Sequence, residues 1–156
     1  MRRVVGAAAA VVLVAVLAGC AALLPDTHEK AIPEKIAEAE IGASDVRVGT
    51  SWEGFDKTIS VYLSFQTDEI TSDQVIDSLA AVSAGLGMNS GAGLSIAFFA
   101  DGAEPVCGVE ETLQSLNRQL GRSGTDAVNG EDAMIFLSSG KELQEFVSEL
   151  RDAGLV

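Results

Sequence analysis

The chain has 156 residues, with 23 Asp plus Glu against 10 Lys plus Arg and a formal charge of −13, a single domain's worth of strongly acidic protein. This balance argues against a nucleic-acid binder, because counterion release needs clustered Lys and Arg, and the sequence holds no basic run beyond Arg2-Arg3. Two cysteines and one histidine leave little material for metal or thiol chemistry, and neither a cofactor nor a metal is expected.

The first element is an export signal. Met1-Arg2-Arg3 supplies positive charge, and Val4 to Ala18 is an unbroken run of apolar and small residues. The run continues through Ala21-Ala22-Leu23-Leu24, so 21 residues pass without a charge. An uncleaved transmembrane helix needs about 20 such residues. Small residues leading into a cysteine weigh against a plain anchor of that kind. On either reading the rest of the chain is extracytoplasmic and tethered to a membrane, and Arg2 and Arg3 fit an inside start.

Leu17-Ala18-Gly19-Cys20 resembles the lipobox of bacterial lipoproteins, and every position of that motif is matched. The resemblance implies that the Cys20 thiol receives a diacylglycerol, that a signal peptidase cuts before it, and that the new amino group is often acylated as well. Residues 1–19 would then be a signal peptide and Cys20 the lipidated first residue of a protein anchored on the outer face of the cell membrane. Two or more acyl chains together exceed the marginal hold of one. Ala21 lacks the acidic residue that in this class often marks retention at the inner membrane. The Ala, Gly and Val bias resembles high-GC Gram-positive bacteria, where that choice does not arise. The motif says nothing about the activity of the remaining 136 residues.

Without residues 1–19 the chain keeps 8 basic and 23 acidic residues, a formal −15. Anionic headgroups would repel it, so the anchor is the lipid, and residues 20–33 read as a short spacer. The lone His28, in that spacer, is expected to be solvent-exposed. Residues 34–156 read as one α+β domain, preceded by a short amphipathic segment over about Ile32 to Ile41.

Val46 and Val48 alternate with polar residues, and Ile59, Val61, Leu63 and Phe65 alternate with Ser60, Tyr62, Ser64 and Gln66, which predicts a β-hairpin with one apolar face. Thr71 and Gln74 signal a capping box before a helical stripe of Val75, Leu79, Val82 and Leu86, ended by Gly85 and Gly87. Leu94, Ile96 and Phe98 predict a third strand closed by Asp101-Gly102. Val109, Leu113, Leu116 and Leu120 predict a second helix closed by Gly121. Ala133 to Leu137 suits a short buried strand, and Ser139 with Glu142 caps a last helix carrying Leu143, Phe146, Val147 and Leu150. The order β-β-α-β-α-β-α implies a mixed four-stranded sheet with strands two, three and four parallel and helices packed on it, with a two-layer sandwich favoured and a three-layer one the alternative. Ser60, Tyr62 and Ser64 suggest that part of one face is open, whereas Ala97, Phe99 and the run from Met134 to Leu137 suggest coverage elsewhere.

No catalytic constellation assembles. The glycine-rich Gly85 to Gly93 leads from a helix into a strand, the reverse of a nucleotide loop, and reads as a connection. Ser138-Ser139-Gly140-Lys141 lies between a strand and a helix, where backbone N–H groups could hold an anion, but it lacks the Walker spacing. Asp68, Glu69, Asp73 and Asp77 gather near a helix start without the alternation of a calcium loop. Cys107 is expected to be a buried or half-buried thiol, with a bridge between chains and a nucleophile as alternatives. Glu110 and Glu111, two negative charges with no basic partner beside them, disfavour a thiolate nucleophile there. Trp52 and Phe55 flank Glu53-Gly54 at the hairpin tip, either as a cross-strand pair or as exposed anchors for a partner.

Two function classes follow. One is a non-catalytic binding or interaction domain that meets an envelope protein, wall component or small ligand. The other is an envelope enzyme whose carboxylates or serines the fold brings together from distant positions. The sequence favours the first, with Trp52 and Phe55 as partner-binding candidates.

Overall fold

The computed structural model describes residues 27–101 and 104–156. The lipobox and Cys20 lie outside these residues, as does Gly102.

Helix α1 (Thr27–Glu38) presents His28, Ile32 and Ile36 at intervals of four on its buried face. The spacer expected over 20–33 is therefore shortened, since its residues from Thr27 on belong to the folded domain. His28 is fully buried rather than exposed. A polar side chain in the core needs a partner, and His28 Nε2 has one in Thr50 Oγ1 at 2.8 Å.

Strands β1 (Ala43–Glu53) and β2 (Asp56–Phe65) form the expected antiparallel hairpin, with Gly54 at φ +64° in the turn. Thr71 opens α2 (Ser72–Leu86) through a complete capping box: Gln74 N donates to Thr71 Oγ1, and Thr71 N donates to Gln74 Oε1 at 2.9 Å. Gln74 Nε2 also donates to the Ile41 carbonyl at 2.8 Å, tying the end of α1 to the start of α2. Gly85 lies inside α2 and does not end it. A Cβ there would sit 2.6 Å from Ile32 Cα, so this glycine exists for the close crossing of α1 over α2.

After a 3-10 turn (Gly87–Gly91), β3 (Gly93–Ala100) pairs parallel to β2, as the β-α-β crossover requires. Helix α3 (Val109–Leu120) ends at Gly121, which takes the left-handed conformation at φ +68°. The chain then departs from expectation. Among the described residues the sheet has five strands, in the order β1-β2-β3-β5-β4, not four. The short β4 (Gly130–Glu131) reverses at Asp132-Ala133 into β5 (Met134–Leu137), which pairs antiparallel to both β4 and β3. Asp132 and Ala133 both take positive φ, +49° and +59°, as a two-residue type I′ hairpin demands. The crossover through α3 thus delivers β4, running parallel to β3 at the far edge, and the hairpin folds β5 back between them. The expected parallel fourth strand is antiparallel for this reason.

Helix α4 (Gly140–Asp152) closes the chain. Ser139 stands at its N-cap but makes no capping bond. Glu142 instead reaches back, its Oε2 accepting from Ser138 N at 3.1 Å and Ser138 Oγ at 3.0 Å.

Ile59, Val61, Leu63 and Phe65 of β2, Leu94, Ile96 and Phe98 of β3, and Ile135 and Leu137 of β5 form one core with the helical stripes of α1 to α4. Each fully buried Leu, Ile or Phe contributes about 1.5–3 kcal/mol relative to exposure. The helical stripes pack into this core, in a mixed α+β fold of one five-stranded sheet and four helices among the described residues.

Candidate functional site

The alternation that buries one face of the sheet sends the intervening residues to the other. Ser60, Tyr62 and Ser64 of β2, Ser95, Ala97 and Phe99 of β3, and Met134 and Phe136 of β5 share this second face, with Arg47 and Gly49 of β1 beside them. The expectation that Ala97, Phe99 and the Met134 to Leu137 run are covered holds for Ala97, Ile135 and Leu137, while Phe99 and Met134 are half-buried. Phe136 is 65% exposed and Tyr62 is 42% exposed.

The face is ordered by its own contacts. Tyr62 and Phe99 stack with centroids 6.4 Å apart and planes 15° from parallel, a diagonal pair across β2 and β3. Ser95 Oγ donates to Ser60 Oγ at 3.1 Å. Tyr62 borders two open depressions. One is lined by Arg47, Gly49, Ser64 and Phe99, and the missing side chain of Gly49 leaves its floor clear. The other runs past Ser60, Ser95 and Phe136 to Phe55 and Met88. Arg47 is held at the rim by Asp45, Nε to Oδ2 2.7 Å, with both side chains exposed. The result is an apolar, hydroxyl-bearing surface with a polar edge, shallow enough to be covered by another surface.

Trp52 and Phe55 are not a cross-strand pair. Trp52 stands opposite Lys57, whose ammonium lies 5.7 Å from the ring centroid, and Phe55 sits in the turn. Trp52 is 65% exposed and Phe55 fully so.

Cys107 is exposed, contrary to the buried or half-buried thiol expected. Val106 and Val109 take the inward positions around it, and the extended backbone that bridges Glu69 and Cys107 turns the thiol outward. Glu69 and Glu111 line the same shallow surface. Ser138, Ser139, Gly140 and Lys141 do not form an anion cradle: Ser138 N is held by Glu142, and Gly140 N donates to the Ala92 carbonyl at 2.8 Å. Asp68, Glu69, Asp73 and Asp77 are not brought together, and no three His, Cys, Asp or Glu side chains among the described residues are grouped as metal ligands.

The perturbed ion pair lies elsewhere, on the helical side. Arg122 Nε and Nη2 donate to Glu149 Oε2 and Oε1 at 2.7 and 2.8 Å, and the guanidinium lies 5.2 Å from the Phe146 ring centroid. The bidentate bond lowers the Glu149 pKa and raises that of Arg122.

Sequence reasoning missed Phe136 as an exposed residue, and Phe99 and Met134 as half-buried residues of the open face. An apolar residue on the outer face of a strand has the same letter as one in the core, and only the placement of the helices separates them.

Comparison with family models, with curated proteins and with solved structures finds no match.

Proposed function

We propose that this chain is a membrane-anchored extracytoplasmic lipoprotein whose domain is a non-catalytic binding module, with the open sheet face as its recognition surface. The single observation that supports the reading is the aromatic face itself: Tyr62, Phe99 and Phe136 stand on a sheet layer that the helices leave bare. Contiguous exposed apolar area edged by polar groups marks interaction sites. Small ligands favour enclosed pockets that bury most of their surface, and these depressions are open, so a protein of the cell envelope is the fitting partner. The lipobox resemblance places Cys20 as the lipid attachment, and the acidic domain needs that lipid because its charge does not draw it to the membrane.

The experiment is site-specific photocrosslinking in intact cells. A crosslinking residue at Phe136 or Tyr62 should give one discrete protein adduct, while the same residue at the exposed Lys141 of α4 should not. Adducts from Lys141 alone, or adducts to wall polymer rather than protein, would overturn this assignment. Turnover of an envelope substrate by the purified protein, lost on changing carboxylates or serines, would favour the enzyme instead.

A further inference from the structure

Among the described residues, three exposed large apolar side chains outside the sheet face, Trp52, Phe55 and Met88, gather at one end of the molecule, while Val156 stands apart at the C-terminus. Trp52 and Phe55 belong to the β1–β2 hairpin tip. Met88, fully exposed, lies in the 3-10 turn Gly87–Gly91. Lys57 links the two, its ammonium 5.7 Å from the Trp52 ring and donating to Asn89 Oδ1 at 3.0 Å.

This is also the end at which α1 begins. His28 Nε2 lies 2.8 Å from Thr50 Oγ1, and Thr50 Oγ1 donates to Glu29 Oε1 at 3.1 Å. Thr50 precedes Trp52 by two residues on β1, and Glu53 closes the strand. At about 3.4 Å per residue the tip extends about 10 Å beyond the level of Thr50. The opposite end of α1 is held far from the tip, where Gln74 donates to the Ile41 carbonyl. The chain therefore enters the domain from the tip end. Cys20 precedes Thr27 by seven residues, a span of at most about 25 Å even when fully extended.

We infer that Trp52, Phe55 and Met88 form a second, non-covalent membrane contact, seated in the interfacial layer of the bilayer that carries the Cys20 lipid. The inference rests on the lipoprotein reading of Cys20. Trp is the residue type that settles at the headgroup boundary, with its apolar ring inward and its N–H toward water. Phe55 and Met88 supply side chains with no polar atom to desolvate beyond the thioether. The formal −15 of the chain after residue 19 argues against attraction to anionic lipid, so the surface is one of zwitterionic phospholipid engaged through apolar contact. With the tip down, the strands rise from the membrane and the open sheet face stands sideways: the depression lined by Arg47, Tyr62 and Phe99 stays free for a partner in the envelope, and the one that ends at Phe55 and Met88 meets the bilayer at its lower end.

Trp52 is the sole tryptophan of the chain and reports its own environment. The full chain, purified from producing cells, is reconstituted into phosphatidylcholine vesicles containing phosphatidylcholine with quenchers at shallow acyl positions. The expected result is a blue-shifted Trp52 emission, quenched by the lipid-borne labels and protected from aqueous iodide. The double variant Phe55→Ser, Met88→Ser should still float with the vesicles but lose most of that quenching. Both positions are fully exposed, so the fold should tolerate the changes. Protein that floats with vesicles while Trp52 stays open to iodide would overturn the membrane contact and leave the lipid anchor standing. Emission that is shielded from iodide but not quenched by labelled lipid would assign the tip to a second copy of the chain, and also overturns it. Protein that fails to float would overturn the anchor itself, and with it the inference. Quenching unchanged in the double variant would remove Phe55 and Met88 from the contact.

Discussion

His28 Nε2 meets Thr50 Oγ1 at 2.8 Å, joining the first turn of α1 to β1 two residues before Trp52. This bond sets where the chain enters the domain relative to the hairpin tip. His28 is also fully buried above Ile32 in the helical stripe. His28→Ala should remove both the bond and the packing and lower stability by about 1–3 kcal/mol. Urea denaturation checks this, and a change within 0.5 kcal/mol, roughly that of an ordinary surface site, would show that α1 docks without the histidine.

Gly85→Ala tests the close crossing of α1 and α2. On an exposed helix, alanine would stabilise by about 1 kcal/mol over glycine. At this position the new Cβ meets Ile32 Cα at 2.6 Å, which is backbone and cannot swing aside. Overpacking of this kind costs about 1–3 kcal/mol, so the net sign should be destabilising. Gly91→Ala, where a Cβ meets nothing within 4 Å, is the control and should leave the melting temperature nearly unchanged.

Asn117 clamps the segment that leads into β4. Its Nδ2 donates to the Val128 carbonyl at 2.6 Å, and its Oδ1 accepts from Val128 N at 3.0 Å, all within the core. Asn117→Leu should strand both backbone groups, at about 1–3 kcal/mol each. Hydrogen exchange at Val128 should accelerate more than exchange in β2. Equal acceleration everywhere would mean that the clamp acts on global stability alone.

The sequence made the hairpin, the capping box and three helical stripes readable because each is a local pattern: alternation in Ile59 to Phe65, Thr71 with Gln74, and apolar spacing closed by Gly121. The β4–β5 hairpin was hidden because its reversal falls on Asp132-Ala133, without the Asn-Gly or Asp-Gly signal that usually carries two positive φ angles. His28 was misplaced because its burial depends on Thr50, 22 residues away. The exposure of Trp52 and Phe55 was legible from their place beside Glu53-Gly54 at the hairpin tip. The open face was only half legible: Ser60, Tyr62 and Ser64 marked its polar part, whereas Phe99 and Phe136 looked like core.

The Arg122–Glu149 pair gives a pH signature. The Glu149 pKa is lowered in the fold by the Arg122 bond. Its contribution is therefore complete above the unfolded carboxylate value of about 4.3 and is lost as pH falls through the depressed folded value. The Glu149 side chain is 46% exposed, so screening keeps the contribution below about 1 kcal/mol. Wild type should exceed Glu149→Gln in stability at neutral pH, and the gap should close in acid. A gap that widens on acidification would contradict the pairing.

The lipid anchor proposed at Cys20 is tested most directly by the intact mass of the protein extracted from membranes of producing cells. The account predicts a chain that starts at Cys20, lacks residues 1–19 and carries a diacylglyceryl group with or without a further acyl chain. Cys20→Ala should give only unlipidated, unprocessed precursor. A native protein of unmodified full-length mass, or normal cleavage and release of the Cys20→Ala variant, would contradict the claim.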